Sequence, residues 1–219
     1  MNENLENISY FGTPIYFVEL PELINSLNKV SDKLILDAKK SSKELIKNRD
    51  KQFKKKLGDF AINHYSTSLI NLKEFNKLQE YIEKRSFEIL DHMGYDLTHY
   101  ILNWIDFCVQ EFPKKGGGYH EKHINYDSHI SGFYFLKCSN KTSFPVFHDP
   151  RYAKLMTQLP LKNLNEINFS SSIINFKPKP GSLVLFPSFL EHQYSIDYGI
   201  EPFRFINFNL KAIKKQNEF

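Results

Sequence analysis

The sequence predicts an α+β fold in which an antiparallel barrel or jelly roll carries helices on the outer face of one sheet. Two observations lead there. Apolar residues recur at helical spacing in two stretches before residue 95, and after residue 100 the period changes from 3.6 to 2. The second half then breaks into short apolar runs punctuated by Pro, Gly, Asn and Ser, the pattern of an antiparallel all-β unit behind helical segments. At 219 residues the chain is most simply one domain: an N-terminal strand and helical support region over 1–98 and a β core over 99–219.

The opening segment Phe11-Gly-Thr-Pro-Ile-Tyr-Phe-Val-Glu-Leu20 reads as a strand that Pro21 ends. Leu23, Leu27, Val30, Leu34 and Ala38 then predict an amphipathic helix over 22–46. Residues 47–69, lysine-rich with Gly58 as a breaker, read as an irregular connection. A second helix is expected from Asn71, with Glu74 three residues on as a capping-box variant, a stripe of Phe75, Leu78, Ile82 and Ile89, and a stop at Gly94. Strands are expected at 101–112, 130–137, 144–148, 169–176, 182–187, 192–197 and 203–211. Sheet edges at 11–18 or 203–211 are candidates for pairing in a homodimer.

Composition narrows the function classes. Aromatics make up 15% of the chain, with 20 Phe and 12 Tyr, so stacked rings should fill much of the core. The net charge of +4 comes from 29 basic against 25 acidic residues, with much of the excess in Lys39–Lys56. That run reads as a solvated face, and no nucleic-acid partner is expected, since no binding motif accompanies it. Cys108 and Cys138 are too few for a disulfide framework and read as reduced core residues. Met1-Asn-Glu-Asn-Leu-Glu6 has neither a basic n-region nor an apolar h-region, and no apolar run approaches ~20 residues, so no membrane partner is expected and the location expected is the cytoplasm.

Eight histidines are present. His64, His92 and His99 lie in the helical half without partners at ligand spacing. His120, His123 and His129 cluster at a Gly-rich entry to a strand. Downstream, the turn Lys179-Pro-Gly-Ser182 launches Leu183–Phe186, Pro187 ends that strand, and His192 opens the next. Two imidazoles on separate β-rich segments suit Fe(II), whose open positions take an acid and O2. Arg204, between Phe203 and Phe205, needs a partner if buried: either a salt bridge to Asp197 or Glu201, or the carboxylate of a bound acid, which a guanidinium grips with two parallel hydrogen bonds.

The stretches Phe11-Gly-Thr-Pro-Ile-Tyr16, Asn103-Trp104, His123-Ile-Asn125, Ile130–Phe135, Phe147-His-Asp-Pro-Arg151, Pro180–Pro187, His192 and Arg204–Asn209 occur in one order. Together they resemble a family of 2-oxoglutarate/Fe(II) oxygenases from bacteria and phages, related to the prolyl 4-hydroxylase-like branch, over nearly the whole chain. The resemblance implies a double-stranded β-helix with Fe(II) and 2-oxoglutarate at one mouth, a dioxygenase (hydroxylase) activity, and a peptide or protein side chain as a candidate substrate. It implies His123 and His192 as metal ligands, Arg204 as the anchor of the 2-oxoglutarate C5 carboxylate, and Tyr134 as a hydroxyl donor to the same acid or a barrel-wall aromatic. Asp149 and Arg151 match a recurrent Asp-Pro-Arg, in contact with substrate or holding a strand end. Asn125 stands where the better-known pattern has Asp. Its amide oxygen, a water, Asp127 or Asp149 could complete the metal site, and Asn125 is preferred. The alternative is a catalytically inactive jelly-roll binding module that keeps the fold and a metal.

Overall fold

The structure is a computed structural model that describes residues 11–215. The leader reading of Met1–Glu6 therefore lies outside the described residues. Among the described residues ten strands form two sheets. The larger is built from β1 (Tyr16–Glu19), β2 (His64–Tyr65), β3 (Tyr100–Glu111), β5 (Ile130–Lys137), β8 (Ser182–Pro187) and β10 (Arg204–Lys214), in the order β1-β8-β5-β10-β3-β2. The smaller contains β4 (His120–His123), β6 (Pro145–His148), β7 (Ile173–Asn175) and β9 (His192–Tyr194), in the order β4-β9-β6-β7. All pairings are antiparallel. The two sheets face each other as the double-stranded β-helix expected from the sequence. No helix among the described residues is long and apolar enough to cross a membrane.

Alternation along the central strands divides the apolar residues into two cores. On the outer face of the large sheet, Phe107, Val109, Ile206, Phe208 and Leu210 pack with Leu27 and Ile35 of α1 (Ile24–Ser41) and Leu78, Ile82 and Ile89 of α3 (Asn76–His92). Between the sheets lies an aromatic core of Phe112, Phe133, Phe135, Phe147, Phe186, Tyr194, Phe203 and Phe205. Most ring pairs there are edge-on or tilted, such as Phe112 against Phe203 at 5.1 Å and 75°, while Tyr194 stacks on Phe205 and Phe135 on Phe203.

Several expectations need correction. The helix predicted over 22–46 divides at Ser42, and a further helix, α2 (Lys43–Phe53), occupies part of the stretch read as irregular. Ser41 and Ser42 donate their hydroxyls back to the carbonyls of Asp37 and Ala38, which competes with the helical ladder at the break. α2 buries none of its residues, so local propensity outweighs the absence of an apolar stripe there. The cap predicted at Asn71 is not used. Phe75, fully buried, is drawn into the core by a 3-10 turn over Lys73–Phe75, and α3 starts only after it. Strands β2 and β4 escape prediction because they are short and lack apolar alternation. The 203–211 edge is not an edge: β10 is central, between β5 and β3, whereas β1 does end its sheet.

Both cysteines are free; burial pushes each thiol up to about 12, leaving both protonated at neutral pH. Gly181 (φ +89°) takes the left-handed turn that launches β8, with Pro21 packed on it so that a Cβ would meet its Cα at 2.9 Å. Gly132 is required for a different reason. A Cβ there would lie 2.2 Å from Phe208 Cζ and 2.3 Å from the Val184 carbonyl oxygen. Gly132→Ala should therefore destabilise the sheet by about 1–3 kcal/mol through overpacking. Urea unfolding checks this, and an unchanged midpoint would show that the β5–β8–β10 contact can relax.

Candidate active site

The histidine pair is a product of strand register. β4 and β9 pair antiparallel so that His123 lies directly opposite His192. Their rings approach to 4.4 Å between centroids. Each Nδ1 meets a backbone carbonyl two residues upstream: His123 with Glu121 at 2.6 Å, His192 with Leu190 at 2.9 Å. A carbonyl can only accept, so each Nδ1 carries a proton, and in the neutral ring the lone pair is then on Nε2. That is the tautomer a metal needs. Burial lowers the His192 pKa to about 4, which keeps its ring neutral across the physiological range. Phe186, Phe133 and Phe147 surround His192, with ring centroids at 4.8, 5.8 and 6.2 Å. His123 is only half-buried and leaves the other side of the pair open.

Asn125 is held where the β4–β5 and β8–β9 connections meet. Its backbone N–H donates to the Ser188 carbonyl, and its Nδ2 donates to Ser131 Oγ at 2.8 Å. Ser131 in turn donates to Asn209 Oδ1 and contacts Ser188 Oγ, both at 2.7 Å. With the amide nitrogen engaged, Asn125 Oδ1 makes no hydrogen bond among the described residues and remains available as a donor to a cation.

Other residues named from the sequence are not brought together with the pair. Asp127 is exposed and ion-paired with Lys211. Asp149 is clamped by Arg151 and Lys154 at 2.8 and 2.9 Å, and these cations, the Arg151 bond foremost, hold its carboxyl well below the usual range. No group of three or more His, Cys, Asp or Glu side chains that could hold a metal occurs among the described residues. His120 lies 6.1 Å from His123 between centroids, but its Nε2 is engaged by the Gln110 amide at 2.8 Å. His129 accepts a hydrogen bond from the Ala212 N–H instead of joining the cluster.

Arg204 and Tyr134 depart from the roles expected for them. Arg204 shares its strand face with Ile206 and Phe208, which belong to the helix-side core, and so points away from the interior. Its Nε and Nη2 grip Glu111 Oε2 at 2.7 and 2.6 Å, and its Nη1 reaches Asp32 of α1 at 2.6 Å. Lys39 and Lys137 complete this cluster. Burial would raise the Glu111 carboxyl, but Lys39 and Arg204 outweigh it and the net shift is downward. The partners weighed from sequence, Asp197 and Glu201, are not the ones used. Tyr134 lies on the same outer face, where its hydroxyl donates to the Leu20 carbonyl at 2.7 Å. The interior at that depth is filled by Phe135, Phe203, Phe205 and Tyr194.

Residues 112–206, a segment that contains both histidines, Asn125 and Arg204, match the family model described as "Putative 2OG-Fe(II) oxygenase". This segment belongs to the 2OG-Fe(II) oxygenase family. Fe(II) and 2-oxoglutarate are the cofactor and co-substrate of that family. The structure is similar to a Pseudomonas putida prolyl-4-hydroxylase, at 9% identity over 91% of this chain and 93% of that one, with a TM-score of 0.54. It is also similar to EctD from S. alaskensis, solved with 2-oxoglutarate and 5-hydroxyectoine, at 11% identity over 92% and 73% of the two chains and a TM-score of 0.58. A third is the epimerase SnoN in complex with Fe3+, alpha ketoglutarate and nogalamycin RO, at 9% identity over 93% and 82%, with a TM-score of 0.53. At such identities these likenesses concern the fold. No curated protein sequence matches the chain.

For the oxygenase segment the metal passes a test of fit, because two imidazoles whose Nδ1 atoms are committed to carbonyls offer Nε2 atoms from adjacent strands, and an amide oxygen stands two residues from the first. For the acid, Arg204 and Tyr134 do not fit, since both side chains lie on the far side of the sheet. The interior polar residues that reading the sequence missed are Ser131, Ser188, Gln110, Asn207 and Asn209. Their strand phase was a usable signal: Asn207 and Asn209 fall in phase with Phe205 and out of phase with Arg204.

Removing one partner from a buried ion pair leaves the other charge uncompensated. Arg204→Leu is accordingly expected to cost about 3–5 kcal/mol of stability, with Arg204→Lys recovering part of it. Denaturant melts measure the loss, and a melt identical to that of the unaltered protein would contradict the structural role assigned to Arg204.

Proposed function

We propose that the protein is a non-heme iron oxygenase in which His123, His192 and Asn125 hold Fe(II). The reaction is hydroxylation of a C–H bond with O2, coupled to conversion of 2-oxoglutarate to succinate and CO2. The likeness of fold to a prolyl-4-hydroxylase motivates a peptide or protein side chain as substrate. The observation that supports the reading most is the cross-strand His123–His192 pair with both Nδ1 atoms committed to carbonyls.

Bound Fe(II) supplies the redox chemistry that no side chain in the site can provide. The chain's own residues bind, orient and exclude water. Glu121 and Leu190 carbonyls fix the two rings, so less side-chain freedom is lost when a metal binds at Nε2. Ser131 holds the Asn125 amide by its nitrogen and turns its oxygen free. The rings of Phe133, Phe147 and Phe186 keep water from the His192 side, while the half-buried flank of His123 leaves room for a substrate to approach.

The geometry also favours a second reading in one respect. Arg204 faces α1, and residue 125 is an amide where the resemblance leads one to expect a carboxylate. A jelly roll that binds a metal without turnover would have these features. Two measurements separate the readings: Mn(II) binding followed by electron paramagnetic resonance, and succinate formation with Fe(II), ascorbate and 2-oxoglutarate. The oxygenase reading expects one Mn(II) site and measurable succinate; a bound metal with no binding of 2-oxoglutarate leaves only the module.

Substitutions in the site should rank by donor strength. His192→Ala is expected to abolish Mn(II) binding, and Asn125→Ala to weaken it. Asn125→Asp should tighten it roughly tenfold, the effect of ~1.4 kcal/mol of added charge attraction. Equal loss in His192→Ala and Asn125→Ala would count against Asn125 as a weak ligand. Undiminished binding in His192→Ala would remove the site altogether.

A further inference from the structure

Separated from His192 by the ring of Phe147 lies a cavity of about 700 Å³ that neither His123 nor His192 lines. It sits where the free edges of the two sheets meet, since β1 ends the large sheet and β7 ends the small one. Ile15 beside β1, Phe147 and Ile174 from β6 and β7, and Ile167 and Phe169 from the segment after β6 give it mostly apolar walls. Asp149 and Arg151 stand among its lining residues. The Asp149 carboxylate accepts from Arg151 Nε and Nη2 and from Lys154 Nζ, so one acid faces two cations and a net positive charge remains. Arg151 is half-exposed, and its Nη1 makes no hydrogen bond among the described residues. Ser172, another wall residue, has a buried Oγ without a partner.

We propose that this cavity is a binding site for a monoanionic amphiphile, with an aromatic or alkyl body lying between the sheet edges and a carboxylate paired with Arg151. The volume falls within the ~300–1,000 Å³ of small-molecule sites, and apolar walls with a few polar groups are their usual lining. The open edge of a guanidinium whose neighbour is already neutralised selects an anion over a cation. An uncharged ligand fills the same walls but gains nothing from Arg151. The site needs no metal, so it stands apart from the oxygenase reading.

The test uses the metal-free full chain and fluorine NMR titration with para-trifluoromethyl phenylacetate and its uncharged amide. The acid is expected to bind saturably at millimolar concentration or below. Arg151→Gln should weaken the acid about three- to fivefold, the upper part of the range for an exposed ion pair, and leave the amide unchanged. Arg151→Lys should restore part of the difference. Ile174→Trp, which fills the cavity, should remove both ligands. Should that variant fail to fold in a thermal melt, Asn168→Trp in the covering segment serves the same purpose. His192→Ala should bind both ligands as the unaltered protein does. The proposal is overturned if the acid does not saturate, if the folded tryptophan variant binds as before, or if acid and amide respond alike to Arg151→Gln.

Discussion

Side-chain alternation along β10 is the constraint on which the rest of the molecule depends. This strand pairs on one side with β3 and on the other with β5, so its two faces belong to two different interiors. Ile206, Phe208 and Leu210 meet the helices; Phe203 and Phe205 meet the rings between the sheets. A slip of one residue would exchange the faces, sending aromatic rings outward and the guanidinium of Arg204 into the aromatic core. That exchange would strand a charge without partners, which is why the register is strongly specified.

The same constraint shapes the charge cluster on the outer face. Arg204 and Glu111 are cross-strand neighbours, and Asp32 and Lys39 of α1 close over them. A helix packed only by Leu27 and Ile35 could rotate on an apolar sheet face. The directional bonds from Arg204 and Lys137 to Asp32, and from Lys39 to Glu111, set its position. With the helix layer fixed on one side, the small sheet on the other is free to specialise. Its strands are short, and β4 and β9 carry the imidazoles in place of core aliphatics.

The histidine pair shows how a site can be prepared by the backbone. Neither ring depends on a carboxylate for its orientation; each leans on a carbonyl of its own strand entry. Asn125 is fixed through Ser131, and Ser131 through Asn209 on β10, so this amide is referenced to the central strand. The family match spans 112–206, and the fold likenesses concern the jelly roll that carries this mouth.

By itself the sequence determined the α+β class, the strands at 130–137 and 182–187, and the candidacy of His123 and His192, because alternation, turn residues and ligand types are local properties. It also carried, unused, the phase that sets Arg204 apart from Asn207 and Asn209. What only the tertiary structure decided was which residues meet. Phe75 overrode the Asn71 cap because burial of a ring outweighs a surface hydrogen bond. β2 and β4 became strands because a paired neighbour supplied their ladder. Arg204 found Glu111 and Asp32 because those carboxylates, distant in sequence, lie on the same face of one sheet and its covering helix, and electrostatic partners are set by distance in space.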